Sequence, residues 1–260
     1  MLAIHSDHLR TQLTGLVGAV RNLGANITAA SSSATFTADQ VVVGTALNGL
    51  EYLLPSFVQT VNLASVGAGG MDTGTAPVSG FVAIYAIYNP TAGTTSILAT
   101  NATSAAAPTI YAGAHMPSGY TASALISVWP TNGSSLFSVA AQVDRDIFFT
   151  NTQVVNSTVQ ITSLTAVSIA STIPKNARTI RGALAVSSAN ASQNSQVNIY
   201  SLSTTVGFGA QNANSTSGEG QSSVPFNGFP ILTPQTFWWT ALVSSGTFLN
   251  GNVAVAGYSI

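Results

Sequence analysis

The chain has 260 residues, enough for one large all-β domain or two medium domains, each able to bury a sizeable core. Only 5% of the residues are Asp, Glu, Lys or Arg, against about 25% in ordinary soluble domains, and the net charge is −1. Such a balance excludes a nucleic-acid binder held by phosphates, and the lack of cysteine excludes disulfides and thiolate metal sites.

Polar surface must then come from Ser, Thr, Asn, Gln and the backbone, with little repulsion between molecules. An obligate assembly suits that composition. Lys175, Arg178 and Arg181 gather locally, but three charges make a weak patch.

The opening MLAIHSDHLR lacks the basic start and apolar core of a signal peptide, so export by that route is not expected. His5 and His8 lie one helical turn apart, without a third ligand that would make them a metal site. Leu2, Leu9, Leu16 and Leu23 fall at one heptad position, and Leu13, Val20 and Ile27 at another. The spacing predicts a short helix within residues 1–30, with a coiled-coil-like seam of Leu9, Leu13, Leu16, Val20, Leu23 and Ile27. An amphipathic helix packed on its own β-domain fits the same pattern. Gly15, Gly18 and Gly24 each cost about 1 kcal/mol of helix propensity, so such a helix needs something packed on it.

After a polar connector at 31–36, SSSATF, the segment QVVVGTALNGLEYLLPSFV predicts a hairpin turning at Asn48-Gly49. Its arms are 41–47 and 50–54, the second ended by Pro55. The Gly-rich GAGGMDTGTAP then leads into GFVAIYAIYNP. Its roughly eight apolar residues fall well short of the roughly 20 in a membrane helix, and most are β-branched or aromatic. Both alternating faces are apolar. The expectation is a strand with one face in a sandwich core and the other covered by a neighbouring domain or subunit. A transmembrane barrel is not predicted, because the aromatics do not recur as paired girdles.

Further strands are predicted at 94–100, 122–128, 136–143, 154–161, 166–173, 179–187, 196–202, 237–244 and 253–260. Clusters of Asn, Gly, Ser and Pro separate them, and no amphipathic helices alternate with them. The fold expected is mostly β, with antiparallel β-sandwich or jelly-roll-like domains after the N-terminal helix. MPSGYTASALISV and IPKNARTIRGALAV echo one another, suggesting β-domains at 31–150 and 151–260.

The chemistry is sparse. MDTG places Asp72 in the Asp-Thr-Gly of aspartic proteases, whose reaction needs two carboxylates; only a homodimer would supply the second. The alternative is a turn in which Asp72 bonds local backbone and Gly74 takes a positive φ. Asp144, Arg145 and Asp146 form the densest charge cluster. Two carboxylates there suit hydrolysis or a hard cation, but the intervening Arg suits an ion pair at a boundary better. With Glu219 and Asp72 they are the central candidates for glycoside hydrolysis, which needs two carboxylates about 5–10 Å apart. There is no G-x-S-x-G, no phosphate loop and no evident partner for His115. No catalytic residue, metal or cofactor is therefore assigned. Trp129 and Trp238 are candidates for stacking on a ligand, while adjacency to Trp239 means one of that pair faces inward.

TFTADQVVVGTALNGLEYLL, QTVNLASVGAGGMDTGTAPVSGFVAIYAIYNPTAG, AHMPSGYTASALISVWPTN and the closing FWWTALVSSGTFLNGNVAVAGYSI resemble segments of tail-fibre-type and related structural proteins of tailed bacteriophages. That resemblance runs from about residue 35 to the end. It implies a virion component made in the host bacterial cytoplasm, a homotrimer with an N-terminal attachment region and β-rich distal domains. Its implied partners are copies of itself, other virion proteins of tail or head, and a host-surface glycan or protein. No functional residues carry over, and the chain lacks a long fibrous shaft.

Overall fold

A computed structural model describes residues 15–189, 195–204, 211–215 and 220–260. The described residues form seventeen strands and no helix, so the protein is mostly β. The chain divides into two compact units, Met1–Arg145 and Asp146–Ile260. The boundary falls inside the Asp144–Arg145–Asp146 cluster, a few residues before the division placed near 150.

The first unit holds β1 (Val20–Arg21), β2 (Gly24–Ile27), β3 (Ser33–Gly44), β4 (Glu51–Val66), β5 (Gly70–Met71), β6 (Phe81–Asn89), β7 (Thr94–Asn101), β8 (Ala122–Pro130) and β9 (Ala140–Val143). The helix predicted through residue 27 is corrected here. Gly18 at φ 88° and Asn22 at φ 53° occupy left-handed backbone that an α-helix does not admit. The apolar spacing instead serves β1 and β2. Val20 pairs with Val41, while Leu23 and Ile27 are buried in their own unit and are not available as a seam. Leu16 stays exposed, and Leu9 and Leu13 lie outside the described residues.

The Asn-Gly hairpin is present, with longer arms than predicted. Only the first two residues of SSSATF precede β3; the strand opens at Ser33, and Phe36 pairs with Gln59. Pro55 does not end β4 but pairs with Gln40. There the strand has β3 on one side and no partner on the other, which is where a missing N–H is tolerated.

Pairing runs β3-β4-β5-β7-β6-β8, and Ser123 of β8 returns to Gly44 of β3, so six strands close a ring. Two of these pairings, β4–β5 and β5–β7, are parallel, which departs from the antiparallel expectation. Closure shortens the edges of the ring without removing them, since β4 meets β5 only at Asn62 and Val66. Trp129 is fully buried, edge-on to Phe36 at 5.8 Å and to Phe137 at 6.4 Å, and its indole N–H donates to the Ser138 carbonyl at 3.0 Å. It is a core residue, which corrects its candidacy for ligand stacking.

Strand β6 is buried from Phe81 to Ile87, and Ala86 has no exposed surface. The cover over the Tyr85 face is not another domain or subunit. Residues 102–121, between β7 and β8, fold back across it. Tyr85 Oη donates to the Pro108 carbonyl at 2.8 Å, Leu125 N–H donates to the Thr109 carbonyl at 2.8 Å, and Tyr111 N–H donates to Ser123 Oγ at 3.0 Å.

The second unit holds β10 (Asp146–Ser157), β11 (Ile161–Ser168), β12 (Thr179–Ala189), β13 (Ser195–Tyr200), β14 (Gln211–Ser215), β15 (Gly220–Pro230), β16 (Thr236–Val243) and β17 (Thr247–Ser259). They form two antiparallel sheets, ordered β15-β12-β17-β10 and β11-β16-β13-β14. A Cβ added to Gly251 of β17 would lie 2.9 Å from both Ala241 Cβ and Val197 Cγ2, so glycine allows the two sheets to approach there. The pairing patterns of the two units differ, so the sequence echo does not extend to a common topology.

Trp129→Ala is expected to destabilise the protein by about 3–5 kcal/mol through the cavity it leaves. Urea unfolding checks this; near-unchanged stability would contradict a core role.

Candidate functional site

A polar cluster in the first unit is built on Asp72, just after β5. Its N–H donates to the Ala99 carbonyl at 2.7 Å, which fixes the residue beside β7. Asp72 Oδ1 accepts from Thr73 N–H at 2.8 Å, while Oδ2 accepts from Thr100 Oγ1 at 2.9 Å and Tyr111 Oη at 2.8 Å. Gly74 has φ 65°, so the turn reading of MDTG is the one observed. The carboxylate's partners are a main-chain N–H and two hydroxyls, with no second carboxylate among them. Tyr111 Oη in turn accepts the His115 N–H at 3.2 Å. Asp72 thereby latches residues 102–121 onto the sheet.

Beside the latch lies a cleft of about 200 Å³ lined by Tyr85, Thr100, Ala105, Pro108 and Tyr111 among others. The two tyrosine rings meet edge to face at 5.5 Å. Burial and the hydrogen bond to Asp72 push the Tyr111 phenol up to about 12. Burial also raises the Tyr85 phenol well above its ordinary value. Both hydroxyls stay protonated at neutral pH and act as donors. Thr100 and Tyr111 were not predicted for this cluster. They stand 28 and 39 residues from Asp72, and no local pattern marks that closeness.

The charged triplet does not converge. Asp144 sits at φ 51°, its N–H donates to the Leu23 carbonyl at 2.7 Å, and its Oδ1 accepts Leu23 N–H at 3.0 Å. Arg145 donates to the carbonyls of Leu125 and Gly18. Burial lowers the pKa of its guanidinium, partly offset by the nearby Asp144. Asp146 pairs instead with Arg181 at 2.6 Å, and the Arg181 guanidinium lies 4.2 Å over the Phe148 ring. The ion pair predicted around Arg145 is therefore corrected: its donors satisfy carbonyls. Among the described residues no group of three His, Asp or Glu forms a metal site. Glu219, His5 and His8 lie outside the described residues.

Two surfaces remain. Trp238 is half-buried on β16, while adjacent Trp239 is only 2% exposed and faces inward. At the β3–β4 turn, Leu47, Leu50 and Leu53 are 72%, 62% and 55% exposed, and Leu16 is 83% exposed. Leu16 lies near them because Gly18 N–H donates to the Val42 carbonyl at 2.8 Å and Leu53 pairs with Val42.

No protein-family model, curated protein or solved structure matches the chain.

The raised Tyr111 pKa has a defined sign. An unfolded tyrosine ionises near about pH 10, whereas folded Tyr111 holds its proton to about 12. Its stabilising contribution is complete below the lower value and is lost as pH rises toward the upper one. Tyr111→Phe is expected to cost about 1–3 kcal/mol at neutral pH by removing a donor from a part-buried carboxylate. It should also flatten the alkaline fall in urea midpoint; an identical fall in wild type and variant would count against the latch.

Proposed function

We propose that the chain is a non-enzymatic structural subunit of a phage virion, a tail fibre or similar appendage, working as a homo-oligomer, in the simplest case a trimer. The observation that carries the assembly reading is the group of four exposed leucines at one end of the first unit: Leu16, Leu47, Leu50 and Leu53. Exposed apolar clusters of this kind mark contact surfaces, and a chain with 5% charged residues has little repulsion to keep copies apart. The occupant is a second copy.

The virion assignment rests on the sequence resemblance, with partners in the tail or head and the host surface as the outward contact. For the second unit, the finer fold reading is a β-sandwich, supported by the approach of two four-stranded antiparallel sheets at Gly251.

Leu47→Asp combined with Leu50→Asp is expected to shift the oligomer to monomer with an unchanged far-UV spectrum. Both residues are largely exposed within the chain, so folding should tolerate the change, while an interface would bury unpaired charge. Size-exclusion chromatography with light scattering gives the answer, and an unshifted oligomer mass would remove the hairpin from the interface. Immunogold microscopy of particles from the producing bacterium should label the virion; particles without label would overturn the virion assignment.

A further inference from the structure

An Asn-Gly pair can react with itself. Without a Cβ to shield it, the glycine main-chain nitrogen can reach the side-chain carbonyl carbon of the asparagine before it. The chain holds four such pairs, beginning at Asn48, Asn132, Asn227 and Asn250. The structure restrains three of them. Asn132 Oδ1 accepts the N–H groups of Ser134 at 2.9 Å and Leu136 at 3.1 Å, which commits its side chain to the loop. Asn250 lies in β17 opposite Ser187; its amide donates to Asn156 Oδ1, and its Oδ1 accepts from Asn252 at 3.1 Å. Asn227 is exposed but lies in β15, between the paired positions Phe226 and Phe229.

Asn48 is held far less. Every residue from Thr45 to Leu50 is exposed, and the Asn48 side chain has no hydrogen-bond partner among the described residues. Gly49 N–H makes one bond, to the Ala46 carbonyl at 3.1 Å. A single exposed turn bond opens by local fluctuation, without unfolding of the strands it joins. The turn also imposes the glycine. A Cβ at Gly49 would lie 2.9 Å from Ala46 N and closer still to Thr45 Oγ1.

We propose that Asn48 is a site of spontaneous deamidation, and that its conversion switches off association at the β3–β4 turn. Gly49 N attacks Asn48 Cγ and loses its proton to solvent. The new C–N bond closes a succinimide ring as the side-chain nitrogen leaves as ammonia. Water then opens the ring at either carbonyl. Breaking the bond to Cγ leaves aspartate, and breaking the bond to the main-chain carbonyl leaves isoaspartate. The sum is Asn48 and water giving a carboxylate and ammonia, with nothing oxidised or reduced. That carboxylate appears between exposed Leu47 and Leu50, where contact with another copy would bury it unpaired. The switch rests on the assembly reading above; the modification itself does not.

Peptide mapping that separates aspartate from isoaspartate, on chain aged in mildly alkaline buffer, tests the modification. Wild type is aged beside Leu16→Asp combined with Leu53→Asp, which removes leucines of the group without altering the turn sequence. In the variant Asn48 should convert at least about tenfold faster than Asn132, Asn227 and Asn250, whose restraints must break first. Asn48 intact in both chains, or outpaced by another pair while the far-UV spectrum stays native, overturns the site. Light scattering tests the switch: Asn48→Asp should lower the oligomer mass, and Asn48→Gln should leave it unchanged. If Leu47→Asp combined with Leu50→Asp gives monomer while Asn48→Asp keeps the full oligomer, the switch is overturned and the assembly reading stands. If neither lowers the mass, the assembly reading and the switch fall together, and the peptide map still decides the modification.

Discussion

The constraint on which the rest depends is the near absence of charge. With 13 acidic and basic residues in 260, polar groups must be satisfied almost entirely by neutral hydrogen bonds. The described charges that matter act as internal fasteners. Asp72 gathers three donors, Asp144 is bound at both its backbone and its carboxylate to Leu23, Arg145 donates to two carbonyls, and Asp146 meets Arg181. Each such partner offsets the cost of taking a charge out of water. What is left for the surface is hydroxyl, amide and hydrocarbon, a composition suited to contact with other uncharged surfaces.

The architecture answers the same constraint. In the first unit six strands pair in a ring with β4 left one-sided around Pro55, and residues 102–121 cover one face of β6. The chain thereby buries its most apolar strand without help from a neighbour. Leu47, Leu50, Leu53 and Leu16 remain exposed after this degree of self-coverage, and the proposed assembly rests on them. In the second unit, two antiparallel sheets each bury one side, and the other side of β16 and β13 carries half-buried aromatic and amide groups around the buried Thr240 rather than charge.

Strands bounded by clear turns were legible in the sequence: 94–100, 122–128, 179–187 and 237–244 all correspond to observed strands within a few residues. Local alternation and punctuation set these elements, so local reasoning reached them. The N-terminal seam misled because Leu23 and Ile27 satisfy heptad spacing and strand burial equally well, and only the left-handed backbone at Gly18 and Asn22 decides between them. Strand β15 was missed because GQSSVPFNGFP looks like loop by composition, and its pairing to β12 is a long-range fact. Cover over β6 and the partners of Asp72 were hidden for the same reason: Pro108, Thr100 and Tyr111 become neighbours only through the fold. Trp238 was legible as a candidate, but its setting beside Tyr200, Ala166 and Asn198 required the register.

Sedimentation equilibrium of the full 260-residue chain is the most direct test of the central claim, that a charge-poor surface with exposed leucines is completed by other copies. The account predicts a stable species at a multiple of the 26.4 kDa chain mass, three-fold in the simplest case, persisting on dilution. A single species of 26.4 kDa across the whole concentration range would contradict it.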